Sequence, residues 1–332
     1  MSSYTRKTPA EKKKELDELT KKLNASIDEF IYDQEKLIEF VLFSSKFRDY
    51  SFRNRTIIYS QDPDALFIGS YKKWQELGHP VQKGERAIRI FAPIFVEYYK
   101  DRNNVEKRLY KNDTKAKEEI KKFNLETYRK TYFKLVPVFS NNQVQIEIED
   151  YPKLLNEILL LEAEQDTLLI YQGLMNYADK NNINIKLSNL SGVVGGFYNH
   201  RTKDITIRDD VGDLAKVNIL AHELAHAMLH DKDQGYLINE DYDLTTKIKE
   251  VQAQSVATLI TSYYLDDFSE VQISYIKDWA DKMSADERYR YIEEITDTTL
   301  EMIEEIDNTI VREKEEVLTK VIDGADDYEM EL

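Results

Sequence analysis

The run Ala221-His222-Glu223-Leu224-Ala225-His226 constrains this chain more than any other, because it fits H-E-x-x-H. Two imidazoles four positions apart project from one face of a 3.6-residue helix, close enough to share one metal ion. The flanking residues favour a helix. Asp213 can act as N-cap, and Leu214, Val217, Leu220, Leu224 and Met228 form an apolar stripe at helical spacing. Three of the five histidines fall between positions 222 and 230, within this one helix. Glu223, between the two ligands, is where a carboxylate takes a proton from a water at the metal, and it is the expected catalytic residue.

A metal needs a third protein ligand. No histidine stands at the metzincin spacing: position 229 is Leu where that pattern needs Gly, and His230 comes too early. His230 reads instead as a last-turn residue favoured by the helix dipole. Downstream, Lys249 to Ala257 opens a second apolar helix, and Glu250 lies 24 positions after His226, ample for the chain to turn back. Glu250 is the preferred third ligand; Glu240, Asp241 and Asp243, in the acidic stretch between, are the alternatives. A His₂Glu set leaves one position open for water or substrate, as catalytic rather than structural zinc sites do. Zn²⁺, or another divalent metal in the same site, is the expected cofactor.

The segment before the helix reads as two strands, Val193 to Tyr198 and Asp204 to Arg208, joined by Asn199 to Lys203. Such a sheet can lie against the metal-bearing helix and align a peptide by strand addition. Tyr198 and His200 are candidates to stabilise an oxyanion, and surface or packing roles are their ordinary reading.

At 332 residues, 42% of them hydrophobic, two domains with real cores are expected. The absence of cysteine excludes disulfides and thiolate metal sites. No apolar run approaches the roughly 18 residues of a membrane span, and the first residues lead into a charged helix; the expectation is a soluble, cytoplasmic protein with no membrane partner. The net charge of −16 hides an asymmetry. Residues 1–150 hold 29 basic and 24 acidic side chains, and the remainder 17 and 38, which suggests two surfaces with different partners.

Helices are expected over about 8–30 and 33–48, a strand over Ala87 to Tyr99 and another over Phe133 to Phe139. Residues 101–130, rich in lysine and glutamate, read as an exposed excursion, and 147–165 as a connecting helix. The tail from Glu301 to Leu332 reads as a solvated helix that frays. In the front half Lys46, Arg48, Arg53, Arg55, Lys72, Lys73, Lys83, Arg86 and Arg89 are placed to track a phosphate backbone. Tyr50, Phe52, Tyr71 and Trp74 offer stacking faces for unpaired bases. Buried aromatics and solvated lysines are the commoner use of such residues.

A resemblance gathers these pieces. Ser51-Phe52-Arg53-Asn54 through Gln61-Asp62-Pro63, then Trp74, Gly78, Val81-Gln82-Lys83-Gly84-Glu85 and Ile88, resembles the N-terminal single-stranded-DNA-binding domain of ArdC-type antirestriction proteins. Val138 to Gln143 is similar to that domain's closing strand, departing at Ser140 and Asn142. His222-Glu223-x-x-His226, Glu250-x-x-Ala253-x-x-x-Ala257 and Tyr275-Ile276-x-x-Trp279 resemble the metallopeptidase-like domain of the same family, and more distantly ImmA/IrrE peptidases. Family members often carry acids on both sides of the Glu250 position; here Gln252 and Gln254 stand nearby, which leaves no acid to support a metal-bound histidine.

The resemblance implies an α+β protein of two domains: a mixed α/β single-stranded-DNA-binding domain over 1–146, a linker helix over 147–165, a zincin-like domain with a helical C-terminus over 166–310, and an acidic tail over 311–332. It implies an antirestriction protein of a mobile genetic element, of plasmid or conjugation type, that binds single-stranded DNA through Arg53, Asn54, Arg55, Tyr71, Lys72, Lys73, Trp74, Lys83 and Arg86. Its metal site is His222, His226 and Glu250, with Glu223 as the base of a zinc metallopeptidase. Two alternatives stand beside this reading. One is a regulatory metalloprotease that cuts a repressor or host factor; the other is a non-enzymatic acidic mimic of DNA that occupies a restriction enzyme.

Overall fold

In the computed structural model, which describes residues 8–146, 167–190, 195–231, 242–265, 280–281 and 283–329, packing divides the chain into two units. One comprises residues 65–145; the other joins 1–64 to 146–332. The first three helices thus pack with the metal-bearing half, across the sequence boundary expected at 146.

The smaller unit is built on an antiparallel sheet of order β1-β4-β2-β3, formed by β1 (Ile68–Gly69), β2 (Ile88–Lys100), β3 (Glu106–Leu109) and β4 (Thr127–Ser140). β2 and β4 pair from Ile88 opposite Val138 to Tyr99 opposite Thr127. The expected strands are both present and β4 begins six residues earlier than expected, because the basic stretch before Phe133 continues the pairing. The residues taken as an excursion hold β3 and a short helix, Thr114–Phe123, capped by the Asp113 side chain. The helix Tyr71–Glu76 sets the Trp74 ring against Gly69, where an added Cβ would lie 3.0 Å from the indole nitrogen. That nitrogen donates to the Phe139 carbonyl at 2.8 Å. The Asn141 side chain closes the unit by accepting from the backbone N–H groups of Leu66 and Phe67 at 2.7 and 3.1 Å.

In the larger unit α1 (Pro9–Tyr32) starts at a Thr8–Glu11 capping box, α2 (Gln34–Ser45) at Asp33 and α3 (Phe52–Tyr59) at Ser51. Their apolar faces meet in a ring cluster, with Phe30 stacked on Phe40 at 4.4 Å and Phe52 set edge-on to Phe40 at 5.7 Å. A long C-terminal helix, Ala285–Glu329, is tied to α1, to the turn after α2 and to α3: Arg288 to Asp28 at 2.9 Å, Arg48 to Asp307, and Arg55 to Asp297. Met302, Ile303, Ile306 and Ile310 are buried on it. The start of the tail is therefore core, not a fraying solvated helix; its isoleucines recur at the spacing that puts them on one face. The expected linker at 147–165 lies outside the described residues.

The remaining elements frame the metal helix. Thr167–Lys180 leads to a three-stranded sheet of order β5-β7-β6, with β5 (Asn184–Ser188) parallel to β7 (Asp204–Arg208) and β6 (Gly196–Asn199) antiparallel to it. The H-E-x-x-H run lies in the helix Asp213–His230, called α7 below, and Glu250 in Tyr242–Leu265, called α8. No helix among the described residues is long and apolar enough to cross a membrane.

Candidate metal centre

The core face of α7 is made by Val217, Leu220, Ala221, Leu224 and Ala225, all fully buried, while Leu214 is 45% exposed in the first turn. Gly212, not Asp213, occupies the N-cap; Asp213 is the first helical residue, where its charge suits the positive end of the helix dipole. Burial of this face turns His222 and His226 outward together. Nε2 of His226 lies 3.1 Å from Nε2 of His222. Glu250, carried by α8, brings its carboxylate to 3.5 Å from each. The histidines hold the Glu250 carboxyl well below the usual carboxylate range.

The near oxygen differs for the two histidines, Oε2 for His222 and Oε1 for His226, and one ligand atom from each of the three residues lies within 4.8 Å of the others, a spacing that one ion can draw together. Ligands about 2.0–2.1 Å from a tetrahedral centre sit about 3.3 Å from one another. The alternatives Glu240 and Asp241 lie outside the described residues, as does the side chain of Asp243. Among the described residues His222, His226 and Glu250 form the group able to hold a metal ion.

Glu223 is buried, and that burial pushes its carboxyl upward from the usual range, against the pull of His222 and His226. Its carboxylate accepts a hydrogen bond from the backbone N–H of Tyr198, so edge strand β6 orients it. The approach is possible because positions 195 and 196 are glycine. A Cβ on Gly196 would lie 2.7 Å from Ile219 Cγ2 and 3.3 Å from Glu223 Cγ. The ligands, Glu223, β6 and Lys249 line a cleft of about 520 Å³. Tyr198 and His200, the oxyanion candidates, border it. The Tyr198 hydroxyl donates to Asp231 at 3.1 Å, and His200 Nδ1 lies 3.9 Å from the same carboxylate.

His230 makes contacts in the site beyond those the dipole reading gave it. It is buried, and burial pushes its pKa down to about 3. Its Nδ1 meets His226 Nδ1 at 2.8 Å, and its Nε2 meets Gln252 Oε1 at 3.0 Å. The Gln252 amide in turn donates to Glu294 at 2.8 Å. The carboxylate end sets the direction of the whole chain. Gln252 gives its N–H to Glu294, so its carbonyl faces His230, and His230 must donate from Nε2 and accept at Nδ1. His226 must then donate from Nδ1, which leaves a lone pair on Nε2, facing Glu250 and His222. Gln252 thus reaches the candidate ligand His226 through His230, and an acid, Glu294, stands at the end of the chain after all, while Gln254 turns to Thr258 at 3.5 Å. The four-residue spacing puts His230 on the His226 face, but nothing in the spacing points to Gln252 or Glu294.

The nucleic-acid candidates fall into both units. Arg53 is exposed with its guanidinium 5.8 Å from the Tyr289 ring centre, but Asn54 and Arg55 are buried in α3, and Arg55 is committed to Asp297 and the Tyr50 carbonyl. In the smaller unit Tyr71, Lys72, Lys73, Lys83 and Arg86 are exposed; Trp74, 2% exposed, has no face free for a base.

An H-E-x-x-H helix beside a small mixed sheet, with a glutamate from the next helix, defines a zincin-like metallopeptidase domain. Residues 179–301 match the IrrE N-terminal-like domain, and residues 13–139 match the N-terminal domain of the anti-restriction factor ArdC. The chain thus carries, in that order, an N-terminal domain of the ArdC type and an IrrE-like metallopeptidase domain. It is 28% identical over 322 residues to the uncharacterized protein pXO2-81 of Bacillus anthracis, covering 92% of this chain and 54% of that one. The chain therefore spans about half the length of that relative. Similar solved structures include the antirestriction ArdC protein from the R388 plasmid, metal-free, at a TM-score of 0.43 and 16% identity, covering 78% of this chain and 86% of that one. The Mn(II)-bound structure of the same protein gives a TM-score of 0.41 at 14% identity, covering 77% and 85%.

Proposed function

We propose that this chain is a cytoplasmic antirestriction protein that binds single-stranded DNA and holds a divalent metal ion, zinc or another, at His222, His226 and Glu250. The convergence of two imidazole nitrogens 3.1 Å apart on the Glu250 carboxylate, one ligand atom from each residue within 4.8 Å of the others, carries the metal half of this reading. Charge supports the DNA half. Residues 65–145 hold 17 basic and 9 acidic side chains, a balance of +8 in a chain of −16, whereas residues 1–64 balance at 12 and 12. The positive excess of the front half therefore belongs wholly to the smaller unit, as a surface for phosphates requires.

A second reading, a peptidase acting on a protein substrate, is favoured by Glu223. A bound divalent ion would polarise a carbonyl and lower the pKa of water. Glu223, buried and held by the Tyr198 N–H, takes the proton, and β6 offers an edge to an extended peptide beside it.

Elemental analysis of the purified chain and titration with single-stranded oligonucleotides, for wild type and Glu223→Gln side by side, test these readings. One divalent ion per chain and salt-sensitive binding are expected in both proteins. Any hydrolysis should fall by about 10²–10⁴ in the variant. Lack of a stoichiometric metal removes the first half, and lack of oligonucleotide binding at low salt removes the second.

A further inference from the structure

The charge of the smaller unit is concentrated in an arm formed by the outer parts of β2 and β4 with β3 and the helix Thr114–Phe123. Residues 100–134 hold 12 basic and 6 acidic side chains. Beside them on the strands stand Phe95 and Phe133, each 66% exposed. Phe95 pairs with Thr131 and Phe133 with Pro93, so the two rings are diagonal neighbours on one face, about 7–8 Å apart. Strand alternation puts Arg89, Phe91 and Arg129 on this same face. Glu97 lies there too, accepting from Arg129 at 3.1 Å.

The opposite face of the arm is different. There Tyr98 stacks on Tyr128 at 6.1 Å, its hydroxyl meets that of Tyr132 at 3.0 Å, and the Lys130 ammonium lies 5.1 Å from the Tyr98 ring centre. Those rings satisfy one another. Among the described residues, neither Phe95 nor Phe133 stacks on another ring.

We propose that single-stranded DNA lies across this Phe95–Phe133 face, with successive bases stacked on the two rings and the phosphate backbone following the surrounding cations. The proposal rests on the single-stranded-DNA reading above and gives it a place. Flat apolar rings without a polar group accept the face of any unpaired base, whereas duplex bases keep their faces covered. A second copy meeting this face with its own Phe95–Phe133 face is disfavoured by the like charge that would bring. Both phenylalanines stand in the middle of long strands, which suits a platform and not the tip insertion a lipid surface needs.

The test is fluorescence anisotropy of a labelled oligothymidylate with the full chain. It compares wild type, the pair Phe95→Ala with Phe133→Ala, and the pair Phe95→Tyr with Phe133→Tyr. The alanine pair should weaken binding by at least about tenfold, with an unchanged salt slope because the phosphate contacts remain. The tyrosine pair should bind as wild type does, since it keeps both faces. Wild-type affinity in the alanine pair overturns this placement and leaves the DNA reading standing; failure of wild type itself to bind at low salt removes both. If the alanine pair instead loses self-association or binding to anionic vesicles, with oligothymidylate affinity unchanged, the face serves a second copy or a lipid surface and the proposal falls.

Discussion

Nδ1 of His226 lies 2.8 Å from Nδ1 of His230, so a metal-ligand histidine is held by another histidine one helical turn away. His230 ends the helix, as its position suggested, and this pairing also sets it against His226. Replacing it with alanine leaves His226 free to rotate and to change tautomer. Such losses typically lower metal affinity by about 10–100-fold. Competition with a chromophoric chelator on His230→Ala should read that drop, with His222 and Glu250 still in place. Wild-type affinity in the variant would mean that the pairing does not govern the ligand.

Glu294 ends the same chain of hydrogen bonds, and burial pushes its carboxyl upward. The sign follows directly. A carboxyl whose folded pKa is raised binds protons more tightly in the folded state, so its contribution to stability falls as pH rises from the unfolded value through the folded one. Glu294→Gln keeps an acceptor for Gln252 and does not ionise. Relative to wild type, the variant should therefore gain stability as pH rises from about 4.5 toward neutrality, by about 1.4 kcal/mol for each unit of the shift. Denaturant unfolding of both proteins across that range measures the difference; a difference independent of pH would contradict it.

Arg55 was a phosphate-binding candidate in the sequence, yet it is 4% exposed and bound to Asp297 and the Tyr50 carbonyl. Arg55→Ala should lower stability by about 1–3 kcal/mol, since it takes the donor from the part-buried Tyr50 carbonyl and breaks a tie between α3 and the C-terminal helix. Oligonucleotide affinity of the folded variant should match wild type. A reduced salt slope with unchanged melting temperature would restore Arg55 to the DNA surface.

Gly196→Ala should damage the site without touching a ligand. The added Cβ meets Ile219 at 2.7 Å, the Thr206 carbonyl at 3.0 Å and Glu223 at 3.3 Å. Overpacking of this kind costs about 1–3 kcal/mol. The melting temperature should fall, and Glu223 should lose its hydrogen bond from Tyr198. An undisturbed melting temperature would show that β6 can move away at little cost.

The candidate metal ligands could be picked out because each pattern lies within one helix. Helical spacing alone puts His222 and His226 on one face, and Glu250 stands in the next helix, which begins at Tyr242, seven residues before the Lys249 start expected from the sequence. His230 was only partly legible for the opposite reason. Its role depends on Gln252 and Glu294, which belong to two other helices, and no spacing within α7 reveals them. The same holds for Trp74 and Arg55. Aromatic and basic residues close together in sequence suit both a DNA surface and a core, and only the packing of Gly69 and Asp297 against them separates the two.

Local pattern thus sufficed for what depends on one element: the H-E-x-x-H helix, the strands β2 and β4, the lack of any thiolate chemistry, and the uneven charge. What it left open was which elements come together. Helices 9–59 are acidic and basic in equal measure and could have served either half; their buried rings and three ion pairs join them to the C-terminal helix. The exposed Phe95 and Phe133 are indistinguishable by residue type from the buried Phe30 and Phe40. Exposure is a property of what packs against a side chain, and that is settled by contacts between residues far apart in the chain.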